Sequence, residues 1–410
     1  MKILHTADWH LNNETADEMD DILNFIFNMA DERNVDLTVI AGDIFDRRDI
    51  RFDSKAVRSA FAHITGLAEI SPVLINIGTP SHDGMCSELF RFAKTDNPVY
   101  VASRPEQLVF NGETFSPIEY LASYPEVFRG SDLCAVLSVL PQPTKQWFQG
   151  DCSIDEADQQ IATGMGTILG GFGAMAHGCG IPHILVFHHT IHGAKVGDNQ
   201  YMIGREIEVP RDLMDLAKAD IGMGGHIHYA QEIKGENCSY FYAGGPQRLN
   251  YGEMEPKGFY IHTIDGKVES EWIETPARKL FKADADLTNG LKLSEVLTAM
   301  ESGNLLPDSI LGSFVRLELK TWQDEAHHID RDKIKAYLVN NGAKGADVRI
   351  IRIPRENVRS QQILKVYTLR EKIEERAATV GDDIPEGVPE LADRLETDEP
   401  DAIIEGVAAG

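Results

Sequence analysis

The chain has 410 residues, 42% of them hydrophobic, which is enough to build the cores of two or three domains. No stretch reaches the roughly 20 consecutive apolar residues that span a bilayer, so we do not expect a membrane protein. The net charge of −26 argues against a surface coated with phosphate-binding groups, but it allows a local basic patch assisted by metal ions.

The cysteines indicate the cellular compartment. The five cysteines are scattered, odd in number and without a Cys-x-x-Cys pair, so they predict reduced thiols in a cytoplasmic protein. The first residues form no long apolar region before a cleavage site, and we therefore expect no signal peptide.

Strands and helices alternate in the first two thirds of the chain. Residues 2–6 predict a strand, residues 15–34 a helix that begins with a capping box of Thr15 and Glu18, and residues 37–41 a second strand. Further helices are predicted at 53–67 and 154–176, and further strands at 73–77, 184–187, 221–223, 240–243 and 258–263. This alternation predicts a layered α/β fold, with a sandwich of β-sheets flanked by helices.

The remaining chain divides into two smaller parts. Residues 277–357 predict a small α+β capping domain, following a first domain at 1–276. Its elements are predicted at 313–321 (strand), 330–340 (helix) and 347–353 (strand). Residues 358–410 predict a polar C-terminal segment with helices at 360–377 and 389–396 and a frayed end at 402–410. From Glu371 to Gly410 the chain has 13 acidic and 3 basic residues, a net charge of −10.

Six residues of metal-binding type follow predicted strands: Asp8, His10, Asp43, His188, His226 and His228. Because ligands bind at the carboxyl ends of strands in open α/β sheets, we expect these side chains to meet. Carboxylates and imidazoles suit Mn²⁺, Fe²⁺ or Zn²⁺, and a carboxylate such as that of Asp43 can bridge two ions. The set predicts a dinuclear centre for phosphoester chemistry.

The loop at 78–84 predicts catalytic residues beside this centre. A histidine in that place, His82, can protonate a leaving alkoxide or stabilise charge on the phosphate. The next residue, Asp83, could orient the imidazole of His82.

Three arginines, Arg47, Arg48 and Arg51, follow the second predicted strand closely. They could contact a DNA backbone next to the metals. They could equally form ion pairs with neighbouring aspartates, and the sequence leaves both possibilities open.

These motifs resemble those of the calcineurin-like metallophosphoesterase superfamily and, within it, the SbcD-type DNA double-strand break nucleases. The motifs are Thr6-Ala7-Asp8-Trp9-His10-Leu11, Ala41-Gly42-Asp43-Ile44-Phe45-Asp46, His82-Asp83, His188, Gly225-His226-Ile227-His228 and the segment 242–259. The resemblance covers residues 1–275 well, the predicted capping domain in outline, and the C-terminal segment by position alone.

The resemblance implies a centre of two Mn²⁺ ions, with Mg²⁺, Fe²⁺ or Zn²⁺ as other possible metals. One ion would be held by Asp8, His10, Asp43 and His228, and the other by Asp43, His188 and His226, with His82 as the catalytic histidine. The family usually has Gly-Asn-His-Asp, in which the Asn binds the second ion. Here Ser81 precedes His82 and the loop is two residues longer, so we expect Ser81 as a poorer ligand. Strand register favours His188 over His189 as the ligand.

The resemblance also implies a function. It implies a Mn²⁺-dependent DNA exonuclease or endonuclease in double-strand break repair or recombination, forming a homodimer and working with an SMC-like ATPase of SbcC type. Apolar residues of the C-terminal segment would contact that ATPase: Ile373, Ile384, Val388, Leu391 and Leu395. Two alternatives stay open, a phosphoesterase acting on small phosphodiesters or phosphoproteins, and a non-catalytic scaffold subunit.

Overall fold

The computed structural model describes residues 1–118, 133–144, 154–177, 179–197, 207–290, 292–301, 310–355 and 366–397. The strands in this part of the chain are β1 (Lys2–Thr6), β2 (Leu37–Ile40), β3 (Val73–Asn76), β4 (Val99–Ala102), β5 (Glu106–Phe110), β6 (Phe115–Pro117), β7 (Ala135–Leu140), β8 (His183–His188), β9 (Thr190–Ile191), β10 (Glu208–Val209), β11 (Ile221–Gly225), β12 (Gln231–Lys234), β13 (Ser239–Tyr242), β14 (Gly258–Ile264), β15 (Val268–Glu274), β16 (Lys279–Asp286), β17 (Ser313–Trp322) and β18 (Gly345–Ile353). The helices are α1 (Ala16–Arg33), α2 (Lys55–Ile70), α3 (Met85–Glu88), α4 (Ile154–Ala176), α5 (Arg211–Asp215), α6 (Leu293–Glu301), α7 (Arg331–Asn340), α8 (Leu369–Val380) and α9 (Val388–Thr397), and short 3-10 helices lie at Leu89–Phe92, Leu287–Asn289 and Ala326–His328.

Two large sheets form the centre of the first of two compact units. One has the order β15-β14-β1-β2-β3-β4, in which β1 to β4 run parallel and β14 and β15 are antiparallel additions. The other has the order β12-β13-β11-β8-β7-β5-β6, with β13, β11, β8 and β7 parallel to one another. The layered α/β class predicted from the sequence is confirmed.

The core lies between the sheets and beneath the helices. Ile3 and Val39 of one sheet pack in one apolar cluster with Leu137 and Val186 of the other. Because successive strand residues face opposite sides, the neighbouring residues point outward and are covered by helices. Helices α1 and α2 cover the outer face of the first sheet, and α4 and α5 cover that of the second.

The sheets approach each other closely at the carboxyl ends of their central strands. A Cβ atom on Gly225, at the end of β11, would lie only 2.1 Å from the carbonyl oxygen of Ala41, which follows β2. At Gly42 the backbone has a φ of +98°, which favours glycine. These glycines bring the loops after β1, β2 and β3 next to the ends of β8 and β11, where the predicted ligands lie.

Helix α1 begins without the capping box predicted from the sequence. The Thr15 side chain makes no hydrogen bond to the backbone of α1 and instead donates to Asn12 Oδ1 at 3.1 Å. The Glu18 carboxylate faces Arg278 and Lys344. A capping box does form at the start of α8, where Thr368 and Glu371 cap each other's backbone groups.

The second compact unit comprises Ala283–Asp308, Leu317–Tyr337 and Asp347–Gly410, while Ser309–Arg316 and Leu338–Ala346 group with the first. Most of the three-stranded sheet β16-β17-β18 belongs to the second unit. Helices α8 and α9 contact each other there, through an ion pair of Arg370 with Asp393 and a hydrogen bond from Leu369 N to Glu396 Oε1 at 2.5 Å. The three domains predicted from the sequence stay a prediction, and the predicted frayed end at 402–410 lies outside the described residues.

Two further predictions concern the membrane and the cysteines. Within the described ranges, no helix is both long enough and apolar enough to cross a membrane. Among the described residues, Cys86, Cys134, Cys179 and Cys238 form no disulfide bond, and Cys152 lies outside the described residues.

Candidate metal centre

The six predicted ligands form two groups. Asp8, His10 and His228 make one group and Asp43, His188 and His226 the other, and within each group the ligand atoms lie within 4.8 Å of one another. Asp43 contacts both groups, because its Oδ2 lies 3.8 Å from His10 Nε2 and 3.2 Å from His188 Nε2. This is the position that a bridging carboxylate would take.

Four of these ligands have an uncommon backbone conformation. The φ angles of Asp8, His10, Asp43 and His226 are 53°, 45°, 53° and 86°, in the left-handed region. Each such residue costs about 1–3 kcal/mol unless its surroundings hold it in place, and such residues cluster at functional sites. Here hydrogen bonds hold them: His10 N donates to the Asp43 carbonyl at 3.0 Å, and His226 N donates to Asp8 Oδ1 at 2.8 Å.

Burial and charge make the site suited to cations. Burial raises the pKa of Asp8 and lowers that of His10. Burial also acts to raise the pKa of Asp43, but the charges of His188 and His10 outweigh it and lower that pKa. Conversely, burial lowers the pKa of His188, but the Asp43 and Asp8 carboxylates raise it to about 9. Without metal, these buried groups must share protons, and divalent cations would take the place of those protons.

The donor atoms also fit metal ions. His10 Nε2 and His228 Nε2 lie only 3.1 Å apart, so both nitrogens can face one ion. His188 donates its Nδ1–H to the Ala41 carbonyl at 2.6 Å, which leaves Nε2 free on the side of Asp43. Oxygen and imidazole donors in this combination suit Mn²⁺, Fe²⁺ or Zn²⁺.

The register of β8 separates His188 from His189. His188 faces Asp43, whereas the His189 ring packs on the other side, with its Nε2 3.3 Å from Met214 Sδ. Burial lowers the pKa of His189 to about 3, so it stays neutral in the core. The structure therefore places His188 in the metal group, as strand register predicts.

The hydroxyl residue that the structure brings to the Asp43–His188–His226 group is Thr79, not the predicted Ser81. Ser81 is exposed, and its carbonyl accepts a hydrogen bond from Arg48 N at 2.9 Å. Thr79 Oγ1 instead lies 3.1 Å from Asp43 Oδ2 and 3.3 Å from His188 Nε2. The reason is a turn in which His82 N and Asp83 N both donate to the Thr79 carbonyl, so that Ser81 is displaced outward.

The His82 ring lies against the first metal group. It meets the His10 ring edge-on, with 4.7 Å between the ring centroids. His82 donates its Nδ1–H to the Asp46 carbonyl at 2.7 Å, which leaves Nε2 free for a substrate. His10, Asp46 and His82 also form a third group of potential ligands, so a catalytic role and a ligand role must be separated by experiment.

The prediction that Asp83 orients the His82 imidazole is wrong. The buried Asp83 carboxylate accepts hydrogen bonds from Asp43 N at 2.9 Å, Ile44 N at 3.1 Å, Gly78 N at 2.9 Å and Ser87 Oγ at 2.9 Å. It therefore fixes the loops that carry Asp43 and Thr79. A backbone carbonyl orients His82 instead.

Sequence reasoning missed a buried pair behind His228. Glu253 Oε1 lies 3.3 Å from His228 Nδ1, and Glu253 Oε2 lies 2.8 Å from Lys257 Nζ. Burial acts to raise the pKa of Glu253, but the hydrogen bond from His228 and the charge of Lys257 lower it to about 2. A carboxylate that accepts the second N–H of a metal-binding histidine fixes its tautomer and orientation. The spacing of Glu253 and Lys257 alone gave no signal of this role.

Replacing Glu253 with glutamine should weaken metal binding. An amide cannot hold the Nδ1–H of His228 as a carboxylate does, so we expect the Mn²⁺ affinity to fall by roughly 10-fold or more. Calorimetric titration of metal-free protein with MnCl₂ measures this. Glu255→Gln is the matched control, because it also removes a carboxylate from Lys257 but leaves Glu253 on His228. Equal affinity in Glu253→Gln and wild type would show that Glu253 is only structural.

The predicted DNA-contacting arginines are exposed. Arg47 pairs with Asp49 at 3.2 Å and Arg51 with Asp53 at 2.9 Å. Ion pairs with neighbouring aspartates, one of the two possibilities that the sequence left open, therefore form. Arg48 is also exposed. Exposed ion pairs contribute little free energy, so a phosphate backbone can compete for these guanidinium groups. Arg47 and Arg51 line a cleft of about 320 Å³, and their contact with DNA stays a prediction.

Comparison with known proteins found a matching family model and similar solved structures. The family model described as calcineurin-like phosphoesterase matches residues 1–230, more than half of the chain. Similar solved structures include the anchor in the inner membrane complex of Plasmodium, at 12% identity and a TM-score of 0.41, covering 67% of this chain and 84% of that chain. A dimetal phosphatase from Danio rerio has 11% identity and a TM-score of 0.37, covering 67% of this chain and 96% of that one. A predicted phosphoesterase from Streptococcus pneumoniae has 11% identity and a TM-score of 0.25, covering 67% of this chain and 97% of that one.

Proposed function

The chain belongs to the calcineurin-like phosphoesterase family, and from this premise we propose that it is a metal-dependent nuclease that cleaves phosphodiester bonds at DNA ends. The observation that carries the proposal is Asp43, whose carboxylate contacts both ligand groups, together with the free Nε2 of His82 beside them. These are the parts that a dinuclear phosphodiesterase needs.

Each group of residues has a distinct part in the reaction. Asp8, His10 and His228 would hold one ion and Asp43, His188 and His226 the other. When bound, such ions polarise the phosphodiester and lower the pKa of a water. His82 presents Nε2 to the substrate, and in the doubly protonated ring this nitrogen can give its proton to the leaving oxygen or donate a hydrogen bond to the phosphate. The Asp46 carbonyl accepts the Nδ1–H and fixes the orientation of the ring.

Two features support DNA rather than a small phosphoester as the substrate. The motif resemblance to SbcD-type nucleases extends through the segment 242–259, which contains Glu253 and Lys257 behind His228. Arg47, Arg48 and Arg51 place exposed guanidinium groups near the site, in a chain of net charge −26. We propose Mn²⁺ as the metal because the motifs resemble those of SbcD-type nucleases, and the carboxylate and imidazole donors suit Mn²⁺ as they suit Fe²⁺ and Zn²⁺.

Comparing substrates tests the proposal. We expect Mn²⁺-dependent release of nucleotides from duplex DNA ends, with much slower hydrolysis of a chromogenic phosphodiester or a phosphopeptide. Rapid hydrolysis of the small substrates without DNA cleavage would favour the small-substrate phosphoesterase. Metal binding without hydrolysis of any of them would favour the scaffold.

We also propose that the protein is cytoplasmic and forms a homodimer. We propose further that its C-terminal segment binds an SMC-like ATPase of SbcC type. The net charge of −10 from residue 371 onward disfavours contact with DNA and favours contact with a protein. Helix α9 presents Leu391 and Leu395, one turn apart and 37% and 51% exposed. Of the other predicted contact residues, Ile373, Ile384 and Val388 are half-buried.

Introducing negative charge on the exposed face of α9 should abolish binding of the ATPase and leave the metal centre intact. In a Leu391→Asp, Leu395→Asp double variant, we expect loss of co-purification with the ATPase from the same source, because two carboxylates would enter an apolar contact. Mn²⁺-dependent cleavage of short DNA should persist, since every proposed ligand precedes residue 230. Glu390→Gln, an exposed change on the same helix, is the control. Normal co-purification of the double variant would place the docking surface elsewhere.

A further inference from the structure

Thr79 occupies a point at which three proposed metal ligands converge. Its Oγ1 lies 3.1 Å from Asp43 Oδ2, 3.3 Å from His188 Nε2 and 3.5 Å from His226 Nδ1. Its backbone N–H also donates to Asp43 Oδ1 at 2.6 Å. The hydroxyl therefore lies inside the second ligand group, and the backbone of the same residue holds the carboxylate that both groups contact.

The hydroxyl can donate one hydrogen bond, and it can accept from the two imidazoles only where their ring nitrogens carry protons. It has one proton to donate, and the Asp43 carboxylate is the strongest acceptor within reach. The Nδ1–H of His188 is already donated to the Ala41 carbonyl. Where the two ring nitrogens carry no proton, one cation can bind the carboxylate, both nitrogens and the hydroxyl oxygen together.

The two ligand groups are chemically unequal. Asp8, His10 and His228 have the full charge of Asp8 in addition to the shared Asp43. Asp43, His188 and His226 have only the shared carboxylate and a neutral hydroxyl. The hydroxyl also donates a hydrogen bond to Asp43 Oδ2, which a metal ion must displace. Both differences weaken the second group relative to the first.

We propose that the Thr79 hydroxyl is the fourth protein ligand of the Asp43–His188–His226 site, and that the two sites fill in sequence, with this site filling last. The inference rests on the proposed dinuclear centre. It adds that occupancy of the second site, controlled by Thr79, sets the Mn²⁺ concentration at which the protein becomes fully loaded.

Calorimetric titration of metal-free protein with MnCl₂ tests the inference without an activity assay. For wild type we expect two classes of site with about one ion each. Thr79→Val keeps the shape and the backbone N–H but removes the hydroxyl. We expect it to weaken the second class by at least roughly 10-fold and to leave the first unchanged. Thr79→Ser should bind like wild type, and Thr79→Asn, which supplies an amide oxygen, should tighten the second class.

Ser81→Ala is the matched control, because it removes a hydroxyl from the same loop outside the ligand groups, and it should bind like wild type. Circular dichroism on each variant confirms that it folds. Unchanged binding in Thr79→Val, or equal weakening of both classes, would overturn the inference, as would a single class of site in wild type. An absence of any Mn²⁺ binding would instead overturn the dinuclear centre itself. Failure to cleave DNA, with two unequal classes retained, would overturn only the proposed nuclease function.

Discussion

Replacing Asp43 with alanine should abolish the proposed DNA cleavage and remove most of the bound metal. Within the described residues, Asp43 is the carboxylate whose Oδ2 contacts both His10 and His188. Its loss removes a ligand from both sites and leaves the imidazoles of the second group without a negative charge. We expect the metal content to fall from about two ions per chain to fewer than one, measured by elemental analysis after dialysis against a fixed Mn²⁺ concentration.

Two variants make the Asp43 result specific. Asp49→Ala removes an exposed carboxylate that pairs with Arg47, and it should retain both metal and activity. Asp43→Asn keeps the side-chain shape and should lose most of the metal, because the charge is missing. Full activity in Asp43→Ala would contradict a shared carboxylate.

Replacing His82 with alanine should separate catalysis from metal binding. Its Nε2 is free beside the ligand groups, while its Nδ1 is fixed on the Asp46 carbonyl. If it protonates the leaving oxygen or stabilises the phosphate, turnover should fall by roughly 10²-fold or more. The Mn²⁺ content should stay at the wild-type value. Rate measurements at saturating Mn²⁺, together with elemental analysis, give both quantities.

The control for His82 is His192, an exposed histidine that pairs with Glu208. His192→Ala should change neither rate nor metal content. Loss of metal in His82→Ala would show instead that the group of His10, Asp46 and His82 binds an ion.

The sequence predicts best those helices and strands whose apolar residues recur with a clear period. The strand predicted at 2–6 forms at Lys2–Thr6, and the helix predicted at 154–176 forms at Ile154–Ala176. The strands β4 to β7 were not predicted, because a short apolar run such as Ala135–Leu140 has no period that distinguishes a strand from a buried helix. The capping box at Thr15 failed because Asn12 competes for its hydroxyl.

The candidate site also has features that the sequence predicts and features that it does not. The meeting of the candidate ligands at strand ends was predictable, because parallel strands bring their carboxyl ends to one edge. The conformation of the loop from Thr79 to Asp83 was not predictable from the sequence. The turn in this loop decides which hydroxyl lies near the proposed metal ligands and which carboxylate binds the backbone. The group that orients His82 is a backbone carbonyl, which no residue pattern reveals. Glu253 lies 25 residues after His228, and only the fold brings them together.

The most direct test of the dinuclear centre is anomalous scattering from crystals grown with saturating Mn²⁺. The expected result is two peaks per chain, one among Asp8, His10 and His228 and the other among Asp43, His188 and His226, with the Asp43 carboxylate in contact with both. A single peak, or a pair of ions that does not share Asp43, would contradict the account.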